Sequence, residues 1–207
     1  MADALIIAIC GESGAGKSTS TETLKDIGFK SYSLSGFLRK EAEEALGVPT
    51  RIQVQQHGKT MQERHGNAYY AQLLDQNSDL FLQSRAVIDG LRNEDELAYL
   101  RNRATEAGAS LKLLALVVDS DTRFQRVTGR ARAGDPTARE QFVADDARAN
   151  GAEGAFQNNQ RLIALADRKI ENTGDMENLR KSLLTLVNSW TTAEPGSAQI
   201  PHQEASR

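Results

Sequence analysis

The run Gly11-Glu12-Ser13-Gly14-Ala15-Gly16-Lys17-Ser18 has residue types and spacing suited to one task, the cradling of a polyphosphate. It fits the pattern Gly-x-x-x-x-Gly-Lys-Ser/Thr. Glycines let successive backbone N–H groups curl around an oxyanion, and a helix opening beyond Gly16 adds the positive end of its dipole. The pattern assigns Lys17 to the β- and γ-phosphates and the Ser18 hydroxyl to Mg²⁺. Glu12, Ser13, Ala15 and Thr19 complete the stretch expected to meet the nucleotide. ATP and Mg²⁺ are the expected cofactors.

Further groups stand near the ends of other apolar runs. Asp89 closes Ala86-Val87-Ile88 and precedes Gly90-Leu91-Arg92. A carboxylate there suits Mg²⁺, often through water; the alternative is a turn or helix-cap aspartate. Gly90 permits close backbone approach, and Arg92 is able to clamp a second anion bidentately. Ser35, Arg39 and Arg51 join Gly90 and Arg92 as candidates for holding an acceptor. Taken alone, Arg39 and Arg51 read better as solvated surface charges, and Arg92 reads equally well either way.

Arg123, Arg126, Arg130 and Arg132 crowd one helix and the loop after it. Arg126 and Arg130 share a helical face, where like charges repel unless an anion or an aromatic plane lies between them. A triphosphate would supply the anion and a purine the plane. Gly129 and Gly134 flank the loop as hinges of a lid would; a basic surface loop is the plainer alternative. Asn172-Thr173-Gly174 follows the last apolar run, where its backbone would meet an adenine edge. The guanine-reading Asn-Lys-x-Asp pattern lacks its lysine here, so guanine is not inferred.

The elements that must position these groups alternate. Strands are expected at Ala4–Cys10, Lys30–Ser33, Ala86–Asp89, Leu111–Val118 and Arg168–Glu171. Helices are expected from Ser18, over Phe37–Leu46, from a Thr50 cap to Arg64, over Asn67–Leu82, and over Asn93–Ala107 with Gly108 closing it. Further helices follow over Asp121–Arg130, Arg139–Asn150, Gln157–Ala166 and Met176–Trp190. Short apolar strands separated by helices predict a parallel α/β sheet. Ligands of such sheets sit beyond the carboxyl ends of the strands, where all the candidate groups fall.

The 207 residues suit one domain, and 39% apolar with 26% charged residues is an ordinary soluble balance. A net charge of -3 gives no global drive toward nucleic acid or anionic membrane, so neither is an expected partner. The single cysteine, Cys10, excludes an intramolecular disulfide and reads as a small buried hydrophobe. His57, His65 and His202 lack the spacing of a zinc site and are expected at the surface. Asp3 stands where a signal peptide would be basic, and no segment approaches the roughly 18 apolar residues of a membrane span. A cytoplasmic protein is expected, as a monomer or homodimer. Residues 191–207 are expected to form a disordered tail.

Together, the loop, Asp89–Arg92, the arginine-rich segment and Ala166–Gly174 resemble a nucleoside monophosphate kinase-like P-loop kinase over residues 4 to about 188. Within that superfamily the chain is most similar to an archaeal group related to dephospho-CoA kinase and adenylate kinase. The shared features include Ser33–Arg39, Pro49-Thr50-Arg51, Arg130-Ala131-Arg132 with Asp135-Pro136, Phe142 and Asp145. The resemblance implies a three-layer P-loop NTPase fold with a five-stranded parallel sheet of order 2-3-1-4-5. It also implies an acceptor-binding insert at about 34–82 and an arginine lid at about 129–150, all within one kinase domain over 1–190. It gives Arg126 the role of stacking on adenine and Arg130 that of spanning the transferred phosphoryl group, with Arg132 as a further lid candidate. Lys17, Arg130, Asp89 and Arg132 are the expected catalytic residues.

One departure bears on the acceptor. Dephospho-CoA kinases carry an acidic residue just after the second strand, and the archaeal group usually has an aspartate where Phe37 stands here. A hydroxyl acceptor benefits from a general base, whereas a phosphate acceptor is already ionised. The expected reaction is transfer of the γ-phosphoryl group of ATP to a nucleoside or deoxynucleoside monophosphate. A hydroxyl acceptor, as in dephospho-CoA, and a nucleotide-dependent switch or accessory ATPase are the alternatives.

Overall fold

In a computed structural model of the chain, residues 4–130, 134–150 and 157–192 are described. Five strands form one sheet: β1 (Ala4–Cys10), β2 (Lys30–Ser33), β3 (Arg85–Asp89), β4 (Ala109–Val117) and β5 (Arg168–Glu171). Their order is β2-β3-β1-β4-β5 and every pairing is parallel. This is the expected doubly wound architecture. β1 lies at the centre and is apolar on both faces, as a strand covered on both sides must be. Ile6, Ala8 and Cys10 face one core with Leu38, Tyr70, Leu74 and Leu97, whereas Leu5, Ile7 and Ile9 face the other with Leu24, Leu179 and Leu183.

The first core lies under α2 (Leu34–Leu46), α3 (Arg51–His65), α4 (Tyr69–Gln76) and α5 (Glu94–Glu106). The second lies under α1 (Lys17–Asp26) and α9 (Met176–Thr192). Between β4 and β5 run α6 (Ser120–Arg130), α7 (Arg139–Ala149) and α8 (Asn159–Ala164). Among the described residues no helix is long and apolar enough to cross a membrane.

Several boundaries differ from expectation for local reasons. α2 opens at Leu34 rather than Phe37, because the Ser33 hydroxyl accepts the Gly36 N–H at 3.2 Å and starts the helix at the strand end. Ser35 and Gly36 therefore lie in its first turn. The helix expected over 67–82 stops at Gln76. The Asn77 amide and Ser78 hydroxyl take the Leu73 and Leu74 carbonyls, at 2.9 and 2.6 Å, and a 3₁₀ turn follows at Leu80–Leu82. α8 is shorter than expected, starting where Asn158 accepts the Arg161 N–H. Thr50 caps α3 as expected, in a capping box with Gln53. Gly129 lies in the last turn of α6, which continues through Arg130. Arg132, with the rest of 131–133, lies outside the described residues, as do 151–156 and the tail beyond Thr192.

Candidate active site

The phosphate-loop run bends from the end of β1 into α1 through Gly16, whose φ of 101° is left-handed. Two elements hold the bend. The buried Asn172, just past β5, donates its amide to the Ala15 carbonyl at 2.9 Å, and its own N–H bonds Val117 O at 2.9 Å. Arg123 of α6 donates to the Ser13 carbonyl at 3.3 Å. The Lys17 ammonium lies over the loop, donating to Gly11 O at 2.7 Å and Glu12 O at 3.0 Å. Burial pulls its pKa below the usual lysine range; the nearby Asp89 carboxylate opposes this, and Arg130 and Arg123 add to it.

Ser18 is exposed in the first turn of α1. Asp89 ends β3 in register with Ser33 of β2 and accepts the Gly90 N–H at 2.7 Å. A hydroxyl and a carboxylate beside the loop are hard oxygen donors, the chemistry that Mg²⁺ requires. These residues fit the cation.

The arginines divide by what they touch. Arg126 reaches the 172–174 segment, donating to Gly174 O at 3.3 Å. Arg130 forks onto Asp135 at 2.7 and 2.9 Å and reaches Ser13 Oγ at 3.4 Å. Arg123 pairs with Asp146 and Glu12. Carboxylates of the chain thus offset Arg123 and Arg130, whereas Arg126 meets only a backbone carbonyl among the described residues. Nothing local in the sequence announced the pairings of Arg123.

On the other side of the sheet's carboxyl edge, Gly90 has a φ of 89°, and a Cβ there would lie 2.7 Å from Ser35 N. The close approach that Gly90 permits is that of α2 onto β3. Ser33 and Ser35 hydroxyls share a hydrogen bond of 3.0 Å beside it. Arg39 is exposed and has no carboxylate partner among the described residues. It is close enough to Arg92 that, with burial as the larger cause, it draws the Arg92 pKa down. Arg51 does not join them. Its guanidinium faces the segment after α6, 3.4 Å from Gly134 O and 3.5 Å from an Asp145 oxygen.

Sequence reading missed two acidic residues, Glu96 of α5 beside Arg92 and Glu41 of α2. Glu96 is fully buried; burial pushes its carboxyl up to about 7 against the opposing pull of Arg92. It accepts the Arg92 N–H at 2.7 Å, and its own N–H goes to the Asn93 cap at 2.9 Å. The Asn-x-x-Glu spacing was the available signal. Glu41 of α2 accepts the Tyr69 and Tyr70 hydroxyls at 2.7 and 2.9 Å. His57 Nε2 lies 3.3 Å from the same carboxylate, so His57 is largely covered rather than at the surface.

The sheet order and the phosphate-loop run after β1 give this chain the fold of P-loop kinases. Solved structures with the same fold include a shikimate kinase from Aquifex aeolicus, 18% identical with a TM-score of 0.51, covering 90% of this chain and 98% of that one. They also include a sugar kinase from Janibacter, 16% identical with a TM-score of 0.53, covering 90% and 95%. No family model matches the chain. A relative from Pyrobaculum aerophilum is 32% identical over 144 residues, covering 69% of this chain and 76% of the relative. Another from Hyperthermus butylicus is 28% identical over 187 residues, covering 90% and 95%. Both are UPF0200 proteins, and the chain belongs to the UPF0200 family.

Proposed function

We propose that this protein transfers the γ-phosphoryl group of ATP to the phosphate of a nucleoside or deoxynucleoside monophosphate. The observation that carries the reading is the packing of Ser35 in an acid-free stretch against Gly90 at the carboxyl ends of β2 and β3, with Arg39 exposed one turn further along α2. Arg39 has no carboxylate partner among the described residues and lies within electrostatic reach of Arg92, which suits an anionic acceptor. The stretch Ser33–Phe37 beside them has no acid to deprotonate a hydroxyl.

In this reading the loop Gly11–Ser18 holds the triphosphate, and Arg126 with Gly174 brackets the purine. Lys17 and Arg130 neutralise charge on the transferred group, and Arg132 is a further lid candidate for the same task. Mg²⁺, held by Ser18 and Asp89, supplies further neutralisation of the phosphate oxygens when bound. An ionised phosphate acceptor needs positioning and charge neutralisation rather than a base. Arg39, Arg92 and Ser35 provide the positioning, with Gly90 letting α2 close on β3. Arg51 contributes by fixing the lid beside them.

A hydroxyl acceptor is the second reading. It is favoured by Asp89, which lies within electrostatic reach of both Lys17 and Arg92, between the donor loop and the acceptor side. A carboxylate there suits a general base. Labelled ATP offered with a panel of monophosphates, nucleosides and dephospho-CoA separates the two. Transfer to monophosphates, abolished in Lys17→Ala, is expected. Transfer to a hydroxyl acceptor and to no monophosphate overturns the first reading.

A further inference from the structure

Arg123 is only 4% exposed, yet it is the most heavily engaged arginine of the site. Its fork meets both oxygens of Asp146 on α7, at 2.8 and 2.5 Å. The same guanidinium lies 3.2 Å from a Glu12 oxygen and donates to the carbonyls of Ser13 and Val118, both at 3.3 Å. The Phe142 ring stands 5.2 Å from its carbon. Glu12 spends its other oxygen on Asn150 at the end of α7, at 2.6 Å. With two carboxylates and two carbonyls taken, this cation is committed to the protein and has no capacity left for a phosphate.

What it holds matters for the donor. The Glu12 carbonyl accepts both the Lys17 ammonium, at 3.0 Å, and the Ala15 N–H, at 3.2 Å. Moving Glu12 therefore moves the lysine and the turn of the loop together. The neighbouring Asp145 of α7 lies 3.5 Å from Arg51 of α3. We infer that Arg123 is a positioning residue for the donor polyphosphate: by clamping Glu12 and Ser13 to Asp146, it makes α7 a strut that fixes the phosphate loop. The inference rests on the reading that Gly11–Ser18 holds the donor. A lysine cannot replace the arginine, because a point charge lacks the fork that spans Asp146 and Glu12 at once.

The test uses the full chain, with calorimetry for ATP, inorganic tripolyphosphate and adenosine, and thermal unfolding alongside. Arg123→Lys and Asp146→Asn are each expected to weaken ATP and tripolyphosphate binding at least tenfold, with adenosine unchanged within twofold. Should Arg123→Lys not fold, Asp146→Asn decides, since it keeps the shape of the side chain. A lowered Tm with ATP binding within twofold of the parent makes the cluster mere packing and overturns the inference. Equal weakening of adenosine and tripolyphosphate does the same. A parent that binds ATP but transfers to no acceptor removes the kinase reading and leaves the inference standing. A parent that binds no polyphosphate overturns both.

Discussion

Replacing Gly16 with alanine tests whether the phosphate loop is held from behind by Asn172. At Gly16 the backbone has φ 101° and ψ 14°, and a Cβ there would lie 2.4 Å from the Asn172 amide nitrogen. The left-handed backbone alone costs an L-residue about 1–2 kcal/mol. The contact is too short to be absorbed, so Asn172 must leave. It is buried and bonded to Ala15 O, and losing that bond costs about 1–3 kcal/mol. The sum is about 2–5 kcal/mol. At about 2–4 °C per kcal/mol for a chain of this size, Tm falls by roughly 4–20 °C. Asn172→Ala alone forfeits the bond only. Since Gly16→Ala already breaks it, the double variant should be no less stable than Gly16→Ala, short of additivity by about 1–3 kcal/mol. Denaturant unfolding of the four proteins measures the cycle. A double variant whose destabilisation equals the sum of the singles, within about 0.5 kcal/mol, refutes the displacement of Asn172.

Three further outcomes are expected. Glu96 has a folded pKa raised from 4.5 to about 7, so its stabilisation is full below about 4.5 and is lost as pH rises through about 7. Tm of Glu96→Gln relative to the parent should therefore rise between pH 5 and 8; a flat difference across that range contradicts the buried environment of the carboxyl. The Cys10 thiol is pushed up to about 12 by burial, so iodoacetamide at about pH 8 should label it only in denaturant; rapid native labelling contradicts its place in β1. Arg126→Ala should raise the KM for ATP by roughly 3- to 30-fold, the scale of one cation–π contact, with little change in acceptor KM; an unchanged ATP KM removes Arg126 from the purine site.

The parts of this molecule that were legible in its sequence are those fixed by neighbours along the chain. Ala4–Cys10 announces a doubly covered strand because a run of apolar residues has no other soluble use. Thr50 and Gln53 announce a helix start because both ends of the capping box lie within one turn. Even the miss at α2 was local: Ser33 caps the helix directly from the strand, and the expectation had allowed a turn there. The site behaved differently. Arg123 and Ser13 stand 110 positions apart, and Asn172 and Ala15 stand 157 apart. No periodicity or spacing connects such pairs. The sequence therefore showed which side chains could face a phosphate, while their division into groups free to meet a ligand and groups spent on holding the loop needed the fold. That division changes how the arginines are read. Four cations in one segment suggested a single anion site, yet Arg123 serves the loop and Arg130 is held by Asp135, while Arg126 reaches Gly174. A carboxylate on each of two arginines also lowers the net positive charge that a nucleotide meets. For a nucleotide held as proposed, the placement of the loop N–H groups and Lys17 would then count for more than charge number, which is why the residues behind the loop carry the sharpest tests.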